Sequence, residues 1–386
     1  MLSAAEARRL WALEPDARHL NHGAFGGCPI SLLEVQAAWR ARMERQPARF
    51  FINELGGLLR AAAVTLGEFV HVAPERLVFL DNATTATNAV IASTPLRPGD
   101  QLLTTSHVYN AVRQTLRHHA ARAGAEIIEA PIGMPLTGPD AVVAAVASRI
   151  GPRTRLIVLD HVASPSAAIL PIAPIIAAAR AAGVPVLVDG AHAPGLIDLD
   201  LDALGATWYT GNCHKWLCSP KGAAFLAVAP DAPWEVHPTV LSHAYGQGFV
   251  AEFDKTGTRD VSAWLTVPDA IALHAALGGA ALRQRNTALA WDAGRVIAAE
   301  LGTGLGAPAA MFAAMATIRL PLPDGLAADW PMAARIRDLI WDAARIEIPV
   351  MALGGALWLR LSAQIYNDAA DYAGVAEAAR AAVAAA

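Results

Sequence analysis

Between residues 77 and 229 short apolar runs alternate with helical stretches, and few folds accept that order. "LVFL" (77–80), "QLLTT" (101–105), "AEIIEAPI" (125–132), "RLIVLD" (155–160), "VPVLVD" (184–189), "ATWYTG" (206–211) and "AAFLAVA" (223–229) read as strands. Between most of them lie helical segments: "TTATNAVIAST", "NAVRQTLRHHAARAG", "PDAVVAAVASRI" and "PIAPIIAAARAAG". The last two open with proline near the first turn, where its missing N–H costs nothing, and "ARAG" and "RAAG" close on glycine. Such alternation builds βα units, so the expected fold is α/β, a mostly parallel central sheet with helices on both faces.

After about residue 260 the order changes. "VPDAIALHAALGG" begins a long helical stretch, followed by a strand-like "MATIRLPLP", the helix "PMAARIRDLIWDAA", strand-like "IEIPVMAL" and "LWLRLS", and a closing alanine-rich helix. This reads as a smaller α+β domain. The expected division is an N-terminal segment 1–20 packing on the small domain, a large domain 21–260 and a small domain 261–386. With 386 residues, 54% of them hydrophobic, the chain can bury two cores. A net charge of −4 and scattered basic residues argue against a nucleic-acid groove or an anionic membrane surface as partner. No apolar run reaches membrane-spanning length unbroken, the N-terminus lacks a signal-peptide core, and three cysteines make no disulfide framework. A cytoplasmic location is expected.

The chain carries 30 lysines and arginines together, yet lysine stands only at 215, 221 and 255. Lys215, in "GNCHKW", follows a strand and sits beside a tryptophan. A desolvated lysine can lose its proton and attack a carbonyl, which arginine essentially cannot. Lys221 and Lys255 fit a solvated surface role better. Asp189 ends an apolar strand, where a carboxylate must be paired or hydrogen-bonded. "LVFLDNATTATNAV" is a strand, a turn and a helix starting near Thr84, and its amides and hydroxyls suit phosphate, with ordinary threonine capping as the plain alternative. An anion site, a buried acid and a nucleophilic lysine are the parts that pyridoxal 5′-phosphate needs. Cys213, His214, Cys218 and Cys28 match no common zinc spacing, and no metal is expected.

"VDGAHAPG…YTGNCHKWLCSPKG" resembles the signature of the class V aminotransferases, pyridoxal phosphate enzymes of fold type I. "LNHGAFGGCP" near the start, "TGTRD" (256–260) and "LRLSAQIYN" near the end resemble its isopenicillin N epimerase-like branch. The resemblance runs from about Leu20 to Asn367. It implies Lys215 as the Schiff-base lysine and Asp189 as partner of the ring nitrogen. Ala83 and Thr84, with His214 and Asn212, would hold the phosphate. His192 and Ser164 would lie near the ring's 3-oxygen, and either His107 or Tyr109 would stack on the ring. Gly257 and Thr258 would reach the phosphate of a neighbouring subunit, which implies a homodimer with shared sites. Arg360 would clamp the substrate carboxylate, with Asn21 and His22 closing the substrate pocket.

Racemisation, transamination and β-elimination diverge from one carbanion, and fold alone does not choose among them. A cysteine desulfurase needs a nucleophilic cysteine shortly before the carboxylate-binding arginine, and "RIEIPVMALGGALWLR" (345–360) has none. The expected activity is epimerisation of an amino acid through Lys215, with His22 and Tyr109 as candidate second acids. A carbon–sulfur lyase or an aminotransferase is the alternative, and a non-catalytic binder of the same fold is a third reading.

Overall fold

The structure, a computed structural model, describes residues 2–386 apart from Asp324. Its centre is a seven-stranded sheet: β1 (Leu77–Leu80), β2 (Gln101–Thr105), β3 (Glu126–Ala130), β4 (Thr154–Asp160), β5 (Val186–Asp189), β6 (Trp208–Asn212) and β7 (Ala224–Val228). The spatial order is β1-β7-β6-β5-β4-β2-β3. All neighbours are parallel except β7, which runs antiparallel to both β1 and β6. The unbroken apolar character of the middle strands follows from two covered faces. Ile157 and Leu159 of β4 and Val186 and Val188 of β5 enter one core, while Leu156, Val158 and Leu187 enter the core on the other face. Each such side chain contributes roughly 1.5–3 kcal/mol on burial.

The helices Ala83–Ser93, Asn110–Ala123, Pro139–Ala147 and Ile172–Ala181 connect the strands as the sequence implies. The first is capped by Asn82, whose side chain accepts from the Thr85 amide at 2.8 Å, so the cap is asparagine and not a threonine. Because β4, β5 and β6 are adjacent and parallel, their carboxyl ends bring Asp160, Asp189 and Asn212 to one edge, where ligands of open α/β sheets bind.

Beyond residue 260, the expected long helix is two, Val267–Ala276 and Gly279–Leu301, broken at Gly278 with φ 120°. A second sheet joins β8 (Met315–Arg319), β9 (Val350–Leu353) and β10 (Ala356–Ser362) in the antiparallel order β9-β10-β8. "IEIPVMAL" therefore divides. Ile346–Glu347 pairs in parallel with Arg18–His19, and only Val350–Leu353 joins the second sheet. The Ser362 amide donates to Leu20 O at 2.8 Å, and the Ser362 hydroxyl accepts from the Gly23 amide at 3.1 Å. These contacts tie residues 18–23 to β10.

Candidate active site

Lys215 stands on a tight turn that leaves β6 and returns as β7. The Cys213 amide donates to Ala223 O at 2.9 Å, the Ser219 amide to Cys213 O at 3.1 Å, and the Cys218 amide to Lys215 O at 3.2 Å. Two glycines from outside the turn clamp it. A Cβ at Gly26 would lie 2.9 Å from Lys215 Cα, and one at Gly195 would lie 2.7 Å from the Trp216 carbonyl; both also have positive φ. The Lys215 amine reaches a cavity of about 270 Å³ and lies 3.3 Å from His192 Nε2. Burial lowers its ammonium from 10.5 to about 8, although Asp189 and Asp160 attract it.

Asp189 is buried, with Oδ1 accepting from the Ala191 amide at 3.0 Å. Burial raises its carboxyl, and that amide and Lys215 oppose the rise. Behind it, Gly190 lies flat on the Tyr209 ring, leaving no room for a side chain, and the Tyr209 hydroxyl is 2.8 Å from His161 Nδ1. Beside it stands Asp160, its register partner on β4, also buried and also lining the cavity. Sequence reasoning passed over Asp160. The signal was present, since "RLIVLD" ends on aspartate as "VPVLVD" does.

At the other end of the cavity, the Ala83 amide donates to Asn212 Oδ1 at 2.8 Å, linking the helix start to the end of β6. Thr84, Asn212 and His214 line the same wall. His214 Nδ1–H donates to Ala223 O at 2.8 Å, leaving Nε2 toward a ligand. Burial holds that ring down at about 4, and an adjacent dianion would raise it.

Tyr109, 44% exposed, lines the cavity with Ala24, Phe25, Val162 and Ser164. His107 does not line it. That ring is buried against Ser166 Oγ at 3.1 Å and Ile132 O at 3.2 Å, so of the two candidates for stacking only Tyr109 is available. Arg360 comes from β10, is buried, and donates to Ser164 O at 2.6 Å and Ser164 Oγ at 3.0 Å. Burial lowers its guanidinium to about 10, where it still holds its charge.

His22 is placed otherwise than expected. Its ring is wholly buried and is not among the cavity walls. Nε2–H donates to Lys215 O at 3.0 Å, while Nδ1 accepts from the Tyr366 hydroxyl at 2.8 Å and the Gly27 amide at 3.3 Å. Burial lowers it to about 3, so it neither gives nor takes a proton near neutrality. Asn21 donates to Glu347 Oε1 at 2.8 Å and is likewise absent from the cavity walls. Gly257 and Thr258 are exposed, and Thr258 lines a separate hollow with Asp81, Thr85 and Arg259. A larger hollow of about 450 Å³ lies around the start of β6, but its two arginines are engaged, Arg76 by Asp202 and Arg180 by Gly205 O. No group of metal-binding side chains occurs among the described residues.

The Aminotransferase class-V family model matches residues 51–320. The chain belongs to the class V aminotransferase family. Among curated members it is 34% identical over 389 residues to isopenicillin N epimerase of Streptomyces clavuligerus, covering 97% of this chain and 96% of that protein. It is 33% identical over 408 residues to a protein of Oryza sativa subsp. japonica provisionally named L-cysteine desulfhydrase 1, covering 96% and 84%. Among solved structures, the cystine C–S lyase C-DES superposes with a TM-score of 0.78 over 95% of this chain and 98% of that one, at 23% identity. The class V fold is that of fold type I, and its cofactor is pyridoxal 5′-phosphate. The cavity fits that group. It offers an amine of lowered basicity at Lys215, a buried acid at Asp189 and a helix start for the phosphate. Two buried polar atoms at its walls, Asp160 Oδ2 and His192 Nδ1, have no protein partner.

Proposed function

We propose that this class V enzyme removes the α-proton of a small amino acid with Lys215 and proceeds to loss of a sulfur substituent at Cβ, as a carbon–sulfur lyase. The observation that carries this reading is the inventory of the cavity. Lys215 is the one amine lining it, His192 lies against Lys215, His214 donates to Ala223, and His22 turns away to hold the Lys215 carbonyl. β-Elimination needs one base. Inversion needs a second proton carrier on the opposite face.

When bound, the cofactor supplies the electron sink that makes the α-proton acidic. Asp189, as an anion, keeps the ring nitrogen protonated. Arg360 holds the substrate carboxylate, and Ser164 fixes the guanidinium. Lys215 Nζ accepts the α-proton. The Cβ–S bond then breaks with its electron pair leaving on sulfur, and water releases the remainder as keto acid and ammonia.

Epimerisation is the second reading, favoured by Tyr109, whose half-exposed phenol lines the cavity and bears a transferable proton. A proton NMR time course in D₂O with L- and D-amino acids and cysteine S-conjugates separates the two. Pyruvate with a released thiol or sulfide is expected. Inversion at Cα without keto acid would replace the lyase with an epimerase.

We also propose a homodimer. Phe25, Ile52, Val240, Leu241 and Tyr245 are each more than half exposed, and Gly257 and Thr258 face outward, as residues serving a neighbouring site would. Sedimentation of the loaded protein at twice the chain mass is expected.

A further inference from the structure

Asp160 and Asp189 stand side by side in register at the carboxyl ends of adjacent parallel strands, and both line the cavity. Neighbouring strands lie about 4.8 Å apart. Two carboxylates that close in a buried site cannot both stay ionised. Their partners decide which one keeps the charge. Asp189 accepts the Ala191 amide and attracts the Lys215 ammonium. Asp160 is only 3% exposed, and its Oδ2 has no partner at all. A buried carboxylate oxygen without a donor is costly, whereas a carboxyl O–H in the same place is a donor facing whatever the cavity holds.

We propose that Asp160 works as a neutral carboxyl, donating from Oδ2 to the anionic phenolic oxygen of the bound cofactor, on the ring carbon meta to the nitrogen that Asp189 serves. This rests on the pyridoxal phosphate reading of the site and is independent of which reaction follows. The ionised Asp189 and the neutral Asp160 then match a ring whose cationic nitrogen and anionic oxygen stand in a 1,3 relation.

The groups facing Asp160 agree with this. Burial and Asp189 push its carboxyl up, and the Tyr109 amide and Arg113 oppose the rise. Arg113 is a weak opponent, because Glu129 takes it up in two hydrogen bonds of 2.8 and 3.1 Å. Lys215 also faces the pair, but its amine is committed to the Schiff base once the cofactor is bound. His192 is held neutral by burial, and Arg360 is engaged by Ser164.

Two substitutions separate a neutral donor from a charge. Asp160→Asn keeps an uncharged donor of the same shape, and Asp160→Ala removes it. Each protein is loaded with pyridoxal phosphate and its visible absorption is followed against pH. A donor on the phenolate stabilises that oxygen when the imine nitrogen loses its proton. Asp160→Ala is therefore expected to raise the midpoint by about one pH unit, and Asp160→Asn to leave it within about 0.3. Infrared difference spectra of the loaded wild type against Asp160→Asn should show a protonated carboxyl band in the wild type, which also serves if the alanine variant fails to fold. Asp160→Asn shifting as far as Asp160→Ala, Asp160→Ala matching the wild type, or an absent carboxyl band would overturn the proposal. If the wild type takes up no cofactor, the reading of the whole site falls with it.

Discussion

Lys215 places a positive charge where water is scarce. Replacing it with methionine, which keeps the unbranched chain and drops the ammonium, is expected to end activity and stabilise the cofactor-free protein. The fall from 10.5 to about 8, at about 1.4 kcal/mol per pKa unit, corresponds to ~3 kcal/mol for holding the proton at neutral pH. Not all of this is recovered. Lys215 is partly open to the cavity, whose water screens it, and Asp189 loses an attractive neighbour. A net gain of ~1–2 kcal/mol remains. The sign with pH follows from proton counting. The native pKa is the lower one, so between about pH 8 and 10.5 the unfolded chain holds more protons and wild-type stability rises with pH. The advantage of Lys215→Met is full below that window and vanishes above it. Urea melts of both cofactor-free proteins near neutral pH and near the top of the window measure it. A variant less stable at neutral pH, or a lead that grows with pH, would refute the reasoning.

Asp189→Asn should fold normally and bind cofactor, yet lose at least about a hundredfold in turnover, because a neutral amide cannot hold the ring-nitrogen proton; normal turnover would contradict that role. Arg360→Lys gives up a planar fork for a point charge, so KM for the amino acid should rise roughly ten- to a hundredfold with a smaller change in kcat. His22→Gln keeps an N–H where Nε2 now serves the Lys215 carbonyl, whereas His22→Asn is too short. Cofactor uptake, followed by absorbance, should be near normal in the first and slowed in the second; equal rates would remove His22 as the positioning residue.

The middle of the sheet was legible because burial on both faces forces unbroken apolar runs, and the polar residue ending each run marks the ligand edge. Asp189 was found that way, and Lys215 by the scarcity of lysine in an arginine-rich chain and its place just after a strand. Asp160 carried the same mark but gained meaning only from the strand order, which places it beside Asp189. The antiparallel direction of β7 leaves no trace in its composition. His22 had the right chemistry for a proton carrier, but its direction was set by Tyr366 and Gly27, contacts that span 344 and 5 positions. A residue type reports what a side chain can do, and only packing reports which way it faces. Gly278 ended a helix that apolar periodicity alone would have continued.

The two glycines that clamp the lysine turn bear on the order in which the molecule assembles. Gly26 arrives from almost 200 positions upstream of Lys215, whereas Gly195 is a near neighbour in sequence. The turn is therefore complete only when residues 20–28 are docked, and a chain with a finished sheet but an undocked N-terminal segment would carry a half-built lysine turn. Cofactor competence then depends on that docking, and colour on reconstitution, followed beside the far-ultraviolet signal, would time the docking of the N-terminal segment.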